Sequence, residues 1–137
     1  MLHAPALFRS CHLLVPDGAE ADEAIHRFLE RVDAARLSDG RRLAPGEIAG
    51  ADHLRVRSRH GIIDVLRGGL PPLDYDTVAG DAVMLDRGGE QAPFASLRSI
   101  VGFKRLAGRG QDRLDLENLE RVNGELPIDP IPGLDAV

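Results

Sequence analysis

The sequence predicts a mixed α+β fold, a mixed sheet packed by helices and followed by two C-terminal helices. Three features carry this expectation. Short apolar runs of strand length alternate with stretches of helical period, two of the runs are spaced as a hairpin, and two amphipathic segments follow one another late in the chain. The 137 residues, 43% hydrophobic and 28% charged, match one ordinary domain with a real core. We therefore expect a single domain over residues 1–126 and an extended or disordered tail over 127–137, "PIDPIPGLDAV", whose prolines cannot continue a helix.

The first strand lies in "RSCHLLVPDG", where Leu13, Leu14 and Val15 stop at a Pro-Asp-Gly turn. Ser10 and His12 alternate on it and so share a face, while Cys11 points the other way, toward the core. In "AEADEAIHRFLERVDAARL" the residues Ile25, Phe28, Leu29 and Val32 follow the i, i+3, i+4, i+7 spacing of a helix over 19–37, with acids early and arginines late as the helix dipole favours. Gly and Pro make "SDGRRLAPGEIAGAD" a loop, with at most a short strand or turn around Arg41 to Leu43. "HLRVRS" and "GIIDVLRG", two residues apart, read as a hairpin. A further pair, "AVMLDRG" and "QAPFAS", flanks the turn at Gly88 and Gly89; Pro93 marks the second as an edge strand or a strand start. "SLRSIVGFKRLAG" and "QDRLDLENLERVNGEL" are helices joined at Gly108 to Gly110.

Composition restricts the partners. A formal net charge of -5 gives no global attraction to nucleic acid or to an acidic membrane, so any phosphate contact must be local. One cysteine cannot form an internal disulfide or, by itself, a thiolate metal site, which suits a reducing, cytoplasmic setting. There is no apolar run near the roughly 18 residues of a membrane span and no signal-peptide pattern in "MLHAPALFRS", so we expect a soluble, unexported protein.

Several polar residues stand where burial would be costly. Asp64 lies between Ile62, Ile63, Val65 and Leu66, so it faces a cleft, a metal or a hydrogen-bonding partner, or else belongs to an edge strand. Lys104 continues the stripe of Leu97, Ile100 and Val101, pointing inward, at a cleft, or snorkelling at the rim of the core. Asp112 and Asp115 share the face of Leu116, Leu119 and Val122; they partner Lys104, Arg105 or Arg109, or cap their helix, and an interhelical ion pair would account for the pattern without catalysis. Asp74 and Asp76 in "LDYDT" follow a loop signal and read as caps. Arg55, Arg57 and Arg59 alternate along one strand face, which holds a phosphate backbone or is simply solvated; no aromatic residue is interleaved to stack bases. His3, His26, His53 and His60 show no ligand spacing.

Residues 9–121, and above all "GIIDVLRGGLPPLDYDTVAGDAVMLDRGGEQAPFASLRSIVGFKRLAGRGQDRLDLENLE", resemble the small nucleotidyltransferase-fold proteins of the DNA polymerase beta superfamily, including the AbiEii-type toxins of toxin and antitoxin pairs. The resemblance implies a Mg2+ site of two carboxylates on one strand and a third on its neighbour. Asp64 matches the third. The matching positions for the other two, an Asp-x-Asp ahead of an apolar strand end, hold Ser10 and His12. His12 would still suit a transition metal, but imidazole is a poor ligand for Mg2+. The resemblance also implies a phosphate-facing role for Lys104, with Arg105, Arg109 and Asp115 beside it, and a Gly-rich turn and helix for which nine residues ahead of Ser10 leave no room.

Two classes stay open. One is a degenerate, non-catalytic binding or regulatory module of the toxin and antitoxin-associated type, shortened at its N-terminus, with no cofactor. The other is an active transferase that uses Mg2+, Asp64 and Lys104 to move a nucleotide from an NTP to RNA or a protein hydroxyl. Loss of two of three metal carboxylates favours the first. The partners implied are an NTP, RNA, an antitoxin-like protein or a second copy covering an open sheet face, and no membrane.

Overall fold

The computed structural model describes residues 10–135. The chain forms two compact units, one ending at Gly69 and one beginning at Leu70. The fold is mixed α+β, as the alternation of short apolar runs and helical periods predicts.

The first unit holds β1 (Ser10–Val15), α1 (Ala19–Arg31), β2 (Ala35–Arg36), α2 (Pro45–Ala49), β3 (His53–Ser58) and β4 (Gly61–Arg67). Its sheet has the order β1-β4-β3-β2, with β1 parallel to β4 and the other pairs antiparallel. Alternation along the strands sends Leu13 and Val15, Ile63 and Val65, and Leu54 and Val56 to one face. There they pack with Ile25 and Leu29 of α1 and Ile48 of α2. The hairpin of β3 and β4 has the boundaries that the sequence spacing gives.

Two expectations are corrected here. The helix expected over 19–37 stops at Arg31: Asp33 adopts a left-handed φ of 56°, the Ala34 N–H turns back to the Leu29 carbonyl, and Ala35 and Arg36 pair with Arg57 and Val56 of β3. The "loop" over 38–52 contains α2, started by Pro45 at its first position and by Glu47 accepting from the Ala44 N–H at 2.7 Å. Ile48 of this short helix is completely buried, so tertiary packing fixes what propensity would not.

Arg67 closes this unit from within. Its guanidinium donates to the Ile48 carbonyl at 3.1 Å and the Pro16 carbonyl at 3.4 Å and pairs with Asp22 of α1, tying the end of β4 to both helices. Cys11, expected in the core, is exposed. It lies on β1, an edge strand of the sheet among the described residues, outside the cluster that Leu13 and Val15 join.

After a short ladder of β5 (Gly69–Leu70) and β6 (Leu73–Asp74), the second unit continues with α3 (Tyr75–Gly80), the hairpin β7 (Val83–Arg87) and β8 (Glu90–Phe94), α4 (Leu97–Ala107) and α5 (Gly110–Asn123). Pro93 stands opposite Met84 in a ladder of only two strands, where its missing N–H is tolerated. Ser96 caps α4: its Oγ accepts from the Ser99 N–H at 3.1 Å and donates to Asp81 at 2.6 Å. Gly108, with φ 61°, ends that helix. Gly102 lets α4 approach β6, since a Cβ there would meet Leu73 Cδ1 at 2.6 Å.

The tail is extended and anchored as far as Asp135. Ile131 is buried, its N–H donates to the Asp135 carboxylate at 2.6 Å, and Arg105 of α4 donates to the Asp129 carbonyl at 2.8 Å and pairs with Asp135. No helix among the described residues is long and apolar enough to cross a membrane.

Candidate functional site

The sheet of the first unit has two unlike faces. Opposite the apolar face, in-register pairing sets His12 of β1 and Arg55 of β3 directly beside Asp64 of β4, with His53 one diagonal step away, opposite Leu66. Asp64 is only 4% exposed, yet it sits on a sheet face and not in the apolar core. Both of its oxygens are engaged. Oδ1 lies 2.9 Å from His53 Nε2 and 3.7 Å from Arg55 Nε, and Oδ2 lies 3.2 Å from His12 Nε2. A carboxylate oxygen accepts, so in the hydrogen bond to Oδ1 the His53 ring donates through Nε2, while His12 stands beside Oδ2 as a close polar contact. The two imidazoles are themselves 59% and 53% exposed, for His12 and His53, and cover the carboxylate from opposite sides.

These residues do not fit Mg2+. That ion requires several oxygen ligands in octahedral geometry, and here one carboxylate faces two imidazoles and a guanidinium. Among the described residues no group of three His, Cys, Asp or Glu side chains is placed so that it could hold a metal ion. The partners that Asp64 faces are the Arg55 guanidinium and the imidazoles of His53 and His12.

Sequence reasoning missed His53. It is 11 residues from Asp64 and 41 from His12, so no local spacing reveals it. The signal was the hairpin register: a two-residue turn at 59–60 places Arg55 opposite Asp64 and His53 within diagonal reach. Ser10 heads β1 opposite Ile62. Beside it in sequence, the Cys11 thiol is pushed up by desolvation and by the Asp64 charge, making a reactive thiolate scarce.

In the second unit Lys104 of α4 meets α5. Its Nζ lies 2.7 Å from Asp115 Oδ2 and 3.4 Å from Asp112 Oδ1. Asp112 is 1% exposed, accepts from the Arg109 backbone N–H at 3.1 Å as a helix-starting acid, and holds Arg109 Nε at 2.7 Å. The Arg109 side chain is the first cause holding the Asp112 carboxyl down at about 2. Lys104 likewise lowers Asp115, and Arg109 is raised by its bond to Asp112. Lys104, Arg109, Asp112 and Asp115 therefore form one interhelical network. Arg105 belongs to a separate cluster with Asp129 and Asp135 of the tail.

Asp74 is a cap, accepting from the Thr77 N–H at 2.8 Å, which lowers its carboxyl; Asp76 lies in the first turn of the same helix, α3. Arg57 is exposed on the Asp64 face of β3, whereas Arg59 turns to the Arg31 carbonyl. On the other side of the sheet, β1 and α1 enclose an apolar groove of about 400 Å3 lined by Leu13, Val15, Ile25, Phe28 and Val65, with no catalytic cluster in it.

No family model and no curated protein matches this chain.

Proposed function

We propose that this chain is a non-catalytic module of the nucleotidyltransferase fold, of the toxin and antitoxin-associated type, that acts by binding or regulation. One observation carries the proposal. His12 stands in register beside Asp64 on adjacent parallel strands, as the resemblance requires of two metal-ligand positions, but the pair is an imidazole 3.2 Å from a carboxylate and not two carboxylates. The Arg55 guanidinium, 3.7 Å from Asp64 Oδ1, stands where a divalent ion would bring positive charge. A second observation points the same way: Lys104, the residue that would face nucleotide phosphates, is bonded to two carboxylates of α5. A phosphate would have to compete with both.

The partner of such a module is a second copy or an antitoxin-like protein. Strand β1 offers an edge for it among the described residues.

Isothermal titration of the chain with each NTP, with and without Mg2+ and alongside Asp64→Ala, tests the proposal. We expect no Mg2+-dependent heat. Mg2+-dependent binding that vanishes in Asp64→Ala would overturn it in favour of an active transferase acting on RNA or a protein hydroxyl.

A further inference from the structure

We propose that a second copy of this chain docks on the β1 edge, pairing β1 with β1 about a two-fold axis and laying α1 against α1. The inference rests on the reading of β1 as the docking edge of the module and names which partner takes it. The Gly68 N–H donates to the Val15 carbonyl at 2.9 Å, and Val15 stands opposite Arg67 of β4. In a parallel ladder this phase turns the backbone groups of Cys11, Leu13 and Val15 toward β4 and those of His12 and Leu14 outward. Nothing along SCHLLV blocks a new strand: it holds no proline, no lysine and no fixed charge.

Two such edges fit antiparallel with Leu13 at the axis. His12 and Leu14 of one copy then exchange N–H···O bonds with Leu14 and His12 of the other, and the two Leu13 side chains meet on the apolar face as a non-hydrogen-bonded pair. The apolar groove of about 400 Å3 opens on that same face, lined by Leu13, Val15 and Val65 from the sheet and by Phe28, 37% exposed, from α1. In the pair, Phe28 of each copy closes the groove of the other and leaves water with it.

Charge on α1 selects a second copy over an unrelated strand. Glu20, Ala24 and Phe28 border the groove, helical spacing sets Arg27 and Arg31 on the same side of α1, and all five are exposed. The acid stands toward the start of the helix, both arginines toward its end, and the small Ala24 between them. An antiparallel copy therefore sets Glu20 of each chain against Arg27 and Arg31 of the other, while Ala24 lets the helices approach. A parallel copy would set acid against acid and arginine against arginine.

The experiment is gel filtration with multi-angle light scattering of the full chain over a micromolar concentration series under reducing conditions, with folding checked by circular dichroism. Wild type is compared with Ala24→Arg, with Glu20→Arg, with the charge swap that joins Glu20→Arg to Arg27→Glu and Arg31→Glu, and with Glu117→Arg on α5. We expect the mass of two chains for wild type and Glu117→Arg, a dimer at least about tenfold weaker in Ala24→Arg and in Glu20→Arg, and recovery in the charge swap, which a misfolded chain would not show. The mass of one chain at every concentration would overturn the inference and leave the β1 edge to a different protein. A dimer unchanged in both Ala24→Arg and Glu20→Arg would overturn it by placing the contact elsewhere. NTP titration with Mg2+ reads the proposed function separately: Mg2+-dependent binding removes that reading while a dimer stands, and a monomer without such binding keeps it with another partner.

Discussion

Replacing Asp112 by asparagine keeps the shape of the side chain but removes the charge that Lys104 and Arg109 face. In the folded protein the carboxyl is held at about 2, against an ordinary 3.8, first by the Arg109 hydrogen bond. A carboxyl lowered by folding contributes stability above its unfolded value and loses it as pH falls toward the folded one. The difference corresponds to about 2.4 kcal/mol at neutral pH. Arg109 is 75% exposed, however, and water screens its share, so the expected contribution is about 1–2 kcal/mol. At pH 3 the folded carboxyl is still largely ionised while the unfolded one is largely protonated, and about half of the contribution remains. Urea unfolding of wild type and Asp112→Asn at pH 7 and pH 3 measures both values. Tyr75 is the sole tyrosine, there is no tryptophan, and Tyr75 lies in the unit that holds Asp112, so its fluorescence follows that unit. A deficit of about 1–2 kcal/mol at pH 7 that halves at pH 3 is expected. An equal deficit at both pH values, or none at pH 7, would refute the electrostatic account.

Arg67→Met removes a side chain that is 7% exposed and leaves Asp22 and two carbonyls without their donor; a loss of about 3 kcal/mol is expected in chemical denaturation followed by circular dichroism, partly recovered when Asp22→Asn is added. Ser96→Ala deletes the cap of α4 and the donor to Asp81, costing about 1–2 kcal/mol by Tyr75 fluorescence, whereas Ser96→Thr retains most of that stability.

The readable elements are those whose pattern is local. The hairpin of β3 and β4 follows from alternation and a two-residue turn, and α4 and α5 follow from helical period and the glycines between them. What was hidden depends on distant partners. Helix α2 has five residues, too few to show a period, and exists because Ile48 fills the core against β3 and β4. The end of α1 was obscured because Val32 continues the apolar spacing while Asp33 breaks the backbone. At the candidate site, Asp64 and His12 are visible in sequence, but the meeting of His53 with Asp64 needs strand register. The role of Lys104 was left open between phosphate contact and packing, and two carboxylates one helix away decide its contacts.

The exposed thiol on β1 has a practical consequence for any study of self-association. Each chain carries one such group, so oxidation joins molecules only in pairs, edge strand to edge strand. A covalent dimer on a non-reducing gel would then report solvent chemistry and not affinity. The elevated thiol slows that coupling near neutrality and lets it accelerate as the solution becomes alkaline. Sedimentation with reductant present, or with Cys11→Ser, separates a bond made in the tube from an interface made by the fold.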